Sequence, residues 1–250
     1  MQSLLPIEVD GYLTELVKAG QVDPVLDEME RRAEADGFPI VGRAVGRFLE
    51  LQARMIGARR VVELGSGFGY SAYWFSRAVG EDGEVVCTDT DADNARLAEG
   101  YLRRAGRWDP VRYHVGDALE GLAAVDGELD VIYCDIDKDG YPAAWAAAAE
   151  RLRVGGLFLC DNVLWDGRVA GLGPHGHATA GGADGGAPGA APGGAPGGAP
   201  GGADGGTSED RRAAVTGAIV AMTREVAQDP RYVSAINPIR DGVLVALRVR

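Results

Sequence analysis

The sequence predicts an α/β fold, a mostly parallel sheet doubly wound with helices on both faces, and three observations carry that expectation. Short apolar runs ending in acids or glycine alternate with helical patterns between residues 59 and 161, and a glycine-rich turn follows the first of them. Two further apolar runs flank Asp241-Gly242 near the C-terminus. Strands alternating with helices build βαβ units and a sheet covered on both sides. Asp-Gly between apolar runs signals a hairpin, so the sheet is expected to close with an antiparallel last strand.

The elements follow in order. Leu13, Leu16 and Val17, then Val25, Leu26 and Met29, recur at helical spacing, with Asp23-Pro24 as cap and first-turn pair. Val45, Phe48, Leu49, Gln52 and Ile56 share one face of a helix between Gly42 and Gly57, which leads into a strand at Arg59–Gly65. The alternation then gives a helix near 70–79, a strand at Glu84–Asp89, a helix at 91–105 and strands at 111–116 and Asp130–Asp135. A helix at 141–152, a strand at 156–161, a helix at about 208–228 and strands at Tyr232–Asn237 and Val243–Val249 complete it.

With 250 residues, 46% of them hydrophobic, the chain suits one domain over 1–250, with an appended helical segment at 1–38 and an insertion at 171–206. The insertion is almost wholly Gly, Ala and Pro, too poor in apolar surface to offset chain entropy, and is expected to be disordered. Its His175 and His177 sit on a glycine tether that preorganises no metal site. No apolar run approaches the roughly 18 residues of a membrane helix, and the N-terminal stretch has an early acid and no basic region. The chain therefore reads as soluble and cytoplasmic, with no membrane partner. Its 25 Lys+Arg against 37 Asp+Glu give a net charge of −12, which opposes binding to duplex nucleic acid. Cys87, Cys134 and Cys160 lack any CxxC pattern and read as small buried hydrophobes.

Glu63-Leu64-Gly65-Ser66-Gly67-Phe68-Gly69-Tyr70-Ser71 falls where the first strand turns into a helix. Glycines there let the backbone approach a ligand, and the helix start offers free N–H groups. Tyr70 stands where a dinucleotide fingerprint has its third glycine, which argues against NAD and a dehydrogenase. Glu63 sets a carboxylate before the turn, disfavouring a pyrophosphate and favouring an ammonium or sulfonium, and S-adenosylmethionine carries both. Asp89, ending the second strand, suits a ribose diol, and Asp117-Ala118 after the third falls near an adenine.

Two more strands end in acids, Asp135-Ile136-Asp137-Lys138 and Asp161-Asn162. Asp135, Asp161 and Asn162 offer three oxygen ligands at one sheet edge, a set suited to Mg²⁺ or another hard divalent cation, with open positions for a substrate bearing two neighbouring hydroxyls. Lys138, three residues beyond Asp135, is the candidate base for the hydroxyl proton; the plainer alternative is a surface lysine paired with Asp137 or Asp139.

Taken together, VVELGSGFGYSA, the segment from Asp135 to Pro142, GGLFLCDNVLWDGRV at 155–169 and the terminal DGVLVALRV resemble the metal-dependent class I O-methyltransferases, which include caffeoyl-CoA and catechol O-methyltransferases. The resemblance covers roughly residues 40–170 and 207–250. It implies a Rossmann-like seven-stranded sheet, a homodimer, and methyl transfer from S-adenosylmethionine to a small-molecule hydroxyl acceptor held on the cation. By position it makes Asp135, Asp161 and Asn162 metal ligands and Lys138 the base. Val41, Glu63, Gly65, Ser66, Ser71, Asp89, Ala118 and Asp137 fall on cofactor contacts, and Asp135 and Asp166 on acceptor contacts. Asp166 stands where plant members have asparagine, and nothing here resembles their CoA-ester elements, which puts caffeoyl-CoA itself in doubt.

A vicinal-hydroxyl, catechol-like acceptor is the leading expectation. One alternative inside the family is a tRNA 5-hydroxyuridine, for which Arg54, Arg59-Arg60, Arg103-Arg104-Arg107 and Arg211-Arg212 are the only basic clusters. Another is a protein that binds the cofactor without transferring a methyl group.

Overall fold

The computed structural model describes residues 6–20, 23–172 and 207–250. Of the expected insertion, everything from residue 173 to 206, with His175 and His177, lies outside the described residues.

Helices α1 (Ile7–Ala19) and α2 (Pro24–Asp36) precede α3 (Gly42–Met55). The start of α2 follows from its sequence: the Asp23 carboxylate accepts from the Val25 and Leu26 amides at 2.9 and 3.4 Å, and Pro24 occupies the first turn, where its missing N–H costs nothing. Gly37 stops the helix in the left-handed region, at φ 64°. Leu26, Met29 and Ala33 are buried along one face of α2. Arg43 of α3, itself buried, pairs with Asp27 and Glu30 of α2, and the Tyr70 hydroxyl donates to the same Glu30 at 2.7 Å.

Seven strands form one sheet: β1 (Arg60–Leu64), β2 (Glu84–Asp89), β3 (Val111–Val115), β4 (Leu129–Cys134), β5 (Leu152–Cys160), β6 (Tyr232–Asn237) and β7 (Val243–Arg248), in the order β3-β2-β1-β4-β5-β7-β6. The first five pair in parallel, and β7 enters antiparallel between β5 and β6. Helices α4 (Tyr70–Val79), α5 (Ala92–Arg104), α6 (Ala118–Ala123), α7 (Tyr141–Ala149) and α8 (Ser208–Gln228) complete the order. Because strand side chains alternate, Val61, Val131 and Tyr133 join the core under α2 to α5, while Val62, Ile132 and Cys134 join the one under α7 and α8. The doubly wound sheet with its antiparallel last strand is thus present. All three cysteines are free and buried.

Three features differ most from those expected, the first being that the helix expected at 141–152 ends at Ala149. Strand β5 starts at Leu152, not 156: Leu152 pairs with Leu129 before a register shift, and Gly155, at φ 82°, carries the irregularity through the strand. The residues after Asp117 form the short α6, with the Asp117 side chain as its cap. Among the described residues, no helix is long and apolar enough to cross a membrane.

Candidate active site

The C-terminal ends of β1 to β5 open onto a cavity of about 1000 Å³. Its floor is the glycine turn. Gly65, Gly67 and Gly69 all have positive φ, and a Cβ on Gly65 would lie 2.6 Å from the Asp135 carbonyl, so only glycine lets the ends of β1 and β4 approach this closely. The turn is held from β2: the Ser66 amide donates to the Thr88 carbonyl at 2.8 Å and the Gly67 amide to Asp89 Oδ2 at 3.0 Å. No side chain caps α4, which leaves its first-turn amides available to a ligand.

Glu63 is fully buried behind this turn and is not part of the cavity lining. Cys87 Sγ donates to its Oε2 at 3.4 Å, while Oε1 has no partner. Burial pushes the carboxyl up to about 7, against hydrogen bonds from Ser71, Cys87 and Ser66. Asp89 Oδ1 accepts from the Asp91 amide at 2.8 Å and from Asn94 Nδ2 at 3.2 Å, so this acid both lines the cavity and braces the turn. Asp117 Oδ1 is engaged as a helix cap, accepting from the amides of Leu119 and Glu120 at 2.9 and 3.0 Å.

The second half of the cavity is built from the ends of β4 and β5. Cys134 and Cys160 are register partners, so Asp135 and Asp161 leave the sheet side by side. Asp161 and Asn162 are 4% and 5% exposed, yet Oδ1 of each has no hydrogen-bond partner among the described residues. Burial, followed by the neighbouring charge of Asp135, pushes Asp161 up to about 7. Burial also raises Asp135, opposed by Lys138, whose Nζ lies 3.3 Å from Asp135 Oδ1. Among the described residues no three His, Cys, Asp or Glu side chains gather as a metal-holding group; the set at this edge is two carboxylates and one amide.

Beyond it the backbone is strained, with Asn162, Trp165 and Asp166 at φ 55°, 49° and 52°. Asp241, reaching over from the turn before β7, accepts from the Asp166 amide at 2.6 Å.

The cavity therefore gathers Val41, Gly65, Ser66, Ser71, Asp89, Asp117, Ala118, Asp135, Asp137, Lys138, Asp161 and Asn162. Glu63 lies behind it, and Asp166 is not brought onto it. Sequence reasoning missed Glu30 and Phe38, which wall the cavity from α2 and the loop after it, and Arg240, which enters from the turn between β6 and β7. No local pattern marks the first two. The third reads in sequence as an ordinary exposed turn residue.

Glycine turn, strand-end acids and cleft position define a Rossmann-like α/β enzyme that binds a nucleoside-type ligand at the carboxyl ends of its parallel strands. The chain belongs to the O-methyltransferase family, whose model matches residues 12–179. It is 34% identical over 167 residues to a catechol O-methyltransferase of Mycobacterium tuberculosis, covering 66% of this chain and 75% of that one. A catechol O-methyltransferase of Niastella koreensis is 32% identical over 167 residues, or 64% of this chain and 75% of its own. An O-methyltransferase from Bacillus cereus, solved in complex with SAH, has a TM-score of 0.73 at 25% identity, over 96% of this chain and 97% of that one.

Proposed function

We propose that this O-methyltransferase transfers a methyl group from S-adenosylmethionine to one hydroxyl of a small vicinal diol, with a divalent cation held by Asp135, Asp161 and Asn162. The observation that carries the reading is the pair of orphaned, buried oxygens on Asp161 and Asn162, next to a second carboxylate whose like charge makes the empty arrangement costly. A hard cation fits this donor set, since it takes oxygen ligands and offsets both negative charges.

When bound, the cofactor supplies a methyl group on a cationic sulfur, and the cation supplies Lewis acidity that eases ionisation of a hydroxyl. The chain's residues do the rest. Val41, Gly65, Ser66 and Ser71, with Glu63 beneath them, would receive the charged amino-acid half of the cofactor; Asp89 would take the ribose, Asp117 and Ala118 the adenine, and Asp137 a further contact. Lys138 Nζ is the base that would take the hydroxyl proton as the methyl group is transferred. Positioning the acceptor hydroxyl against the methyl group would be the main contribution of these residues. Asp135 serves both the cation and the acceptor, and Asp166 acts on the acceptor only through the strained segment that carries it.

Local charge pairing favours a small acceptor over tRNA. Arg54 pairs with Glu50, Arg59 with Asp82, Arg103 with Glu99 and Arg104 with Glu28, so half of the arginines in the basic clusters are paired where they stand. A homodimer is part of the same proposal, and Ile7, Tyr12 and Leu16 of α1 with Met55 of α3 supply exposed apolar surface for one.

The test is label transfer from S-adenosylmethionine to catechols, flavonoids and undermodified tRNA, each with Mg²⁺ and with EDTA, at low and high salt. Label on a diol that EDTA abolishes is the expected result. Label on tRNA alone, or transfer indifferent to EDTA, overturns the proposal.

A further inference from the structure

Arg240 and Lys138 are the two bases that line the cavity, against eight Asp and Glu side chains. Lys138 is paired with Asp135. Arg240 forms no ion pair among the described residues: its Nη1 donates to the Ile40 carbonyl at 2.6 Å, leaving most of the guanidinium's donors unused. The guanidinium lies over Gly42, the first residue of α3, where the positive end of the helix does nothing to neutralise it. Its backbone is held at φ 49°, in the left-handed region that arginine rarely adopts, which aims a long cation from a tight turn at the cavity.

The turn is fixed to the cation end of the site. The Val163 and Leu164 amides donate to the Gly242 and Asp241 carbonyls at 3.1 and 2.9 Å, and Asp241 holds the Asp166 amide. Arg240 lines the same cavity as Asp135 and Asp161. The cofactor's own carboxylate has free amides at the start of α4 to meet it.

Building on the small-diol reading above, we propose that Arg240 recognises a carboxylate on the methyl acceptor, so that the acceptor class is a hydroxylated aromatic acid. A guanidinium presents a planar fork that matches a carboxylate, and here it is the feature that would distinguish an acid from a neutral diol of the same shape.

The probes are protocatechuate, a catechol carrying one carboxylate, and its methyl ester, tested with the wild type, Arg240→Gln and Arg240→Lys. The ratio of kcat/KM for acid over ester is expected to fall roughly ten- to a hundredfold in Arg240→Gln and to recover in part in Arg240→Lys, as loss of a charge-assisted hydrogen bond implies. The calorimetric affinity for S-adenosylhomocysteine is expected to stay level. A ratio that does not move while both activities drop overturns the proposal and leaves Arg240 as a tie to the Ile40 carbonyl. Weaker S-adenosylhomocysteine binding with an unchanged ratio also overturns it, making the cofactor's carboxylate the partner. If the wild type methylates neither probe, the diol reading has failed. Calorimetric binding of protocatechuate to the S-adenosylhomocysteine complex with Mg²⁺ then decides the point: weaker binding by Arg240→Gln supports the proposal, and equal binding overturns it.

Discussion

At the scale of single residues, burial raises two acids, Asp161 lining the cavity and Glu63 behind it. Glu63 shows the cost. Its carboxyl sits at about 7 when folded against an ordinary 4.5, so the folded state keeps a proton that the unfolded state has already lost. Stability from this group is therefore lost as pH rises from 4.5 to about 7, on the order of 3 kcal/mol for a shift of this size. Thermal melts of the ligand-free protein from pH 5 to 8 should show Glu63→Gln falling less than the wild type, and parallel curves would count against the buried-acid account. Asp161→Ala is expected to lose roughly a hundredfold or more of its Mg²⁺-dependent turnover while keeping S-adenosylhomocysteine affinity, read by calorimetry. Lys138→Ala should lower turnover chiefly at the acid end of the pH profile, where the hydroxyl most needs a base, by roughly ten- to a hundredfold. A uniform loss across pH would leave Lys138 as a partner of Asp135 and nothing more.

Among the elements, α2 is the one whose role was hardest to see. Its cap at Asp23 and its buried stripe are legible in sequence, but its place as a wall of the cavity depends on Arg43, which pairs across to Asp27 and Glu30, and on Tyr70, which joins Glu30 from α4. Arg43→Met removes that tie and leaves two acids unpaired. We expect a loss of about 2 kcal/mol, roughly 4–8 °C in Tm, and weaker S-adenosylhomocysteine binding in the same variant. Unchanged cofactor affinity would show that α2 is held by its apolar face alone. The parallel strands were legible because each is a compact apolar run ending in an acid or glycine, and so were Asp135, Asp161 and Asn162, which sit at those ends. Short α6 was not, since six residues hold too little periodicity. Strand β5 was read late because Gly155-Gly156 looks like a turn when it is an irregularity inside a strand. Arg240 was invisible as a cavity residue because hairpin geometry, and not its neighbours in sequence, brings it there.

For the molecule as a whole, residues 173–206 are almost wholly Gly, Ala and Pro and offer little apolar side-chain surface. Replacing residues 173–206 with a short Gly-Ser linker should leave Tm within about 2 °C and kcat/KM for catechol within about twofold, since loop-closure entropy varies only slowly with length. A large shift in acceptor preference would show that the segment takes part in choosing the substrate.

The position of β7 has its own consequence for how the protein is made. Residues 243–248 are made after both of the strands they join, yet they fill an interior slot, pairing with β5 on one side and β6 on the other. Until they are synthesised, β5 presents an apolar, unpaired edge beside the nascent cavity, and neither Arg240 nor Asp241 has a strand to hold its turn in place. Translation that stalls shortly before this point yields an adhesive intermediate, which makes the closing hairpin the step at which premature termination becomes an aggregation hazard.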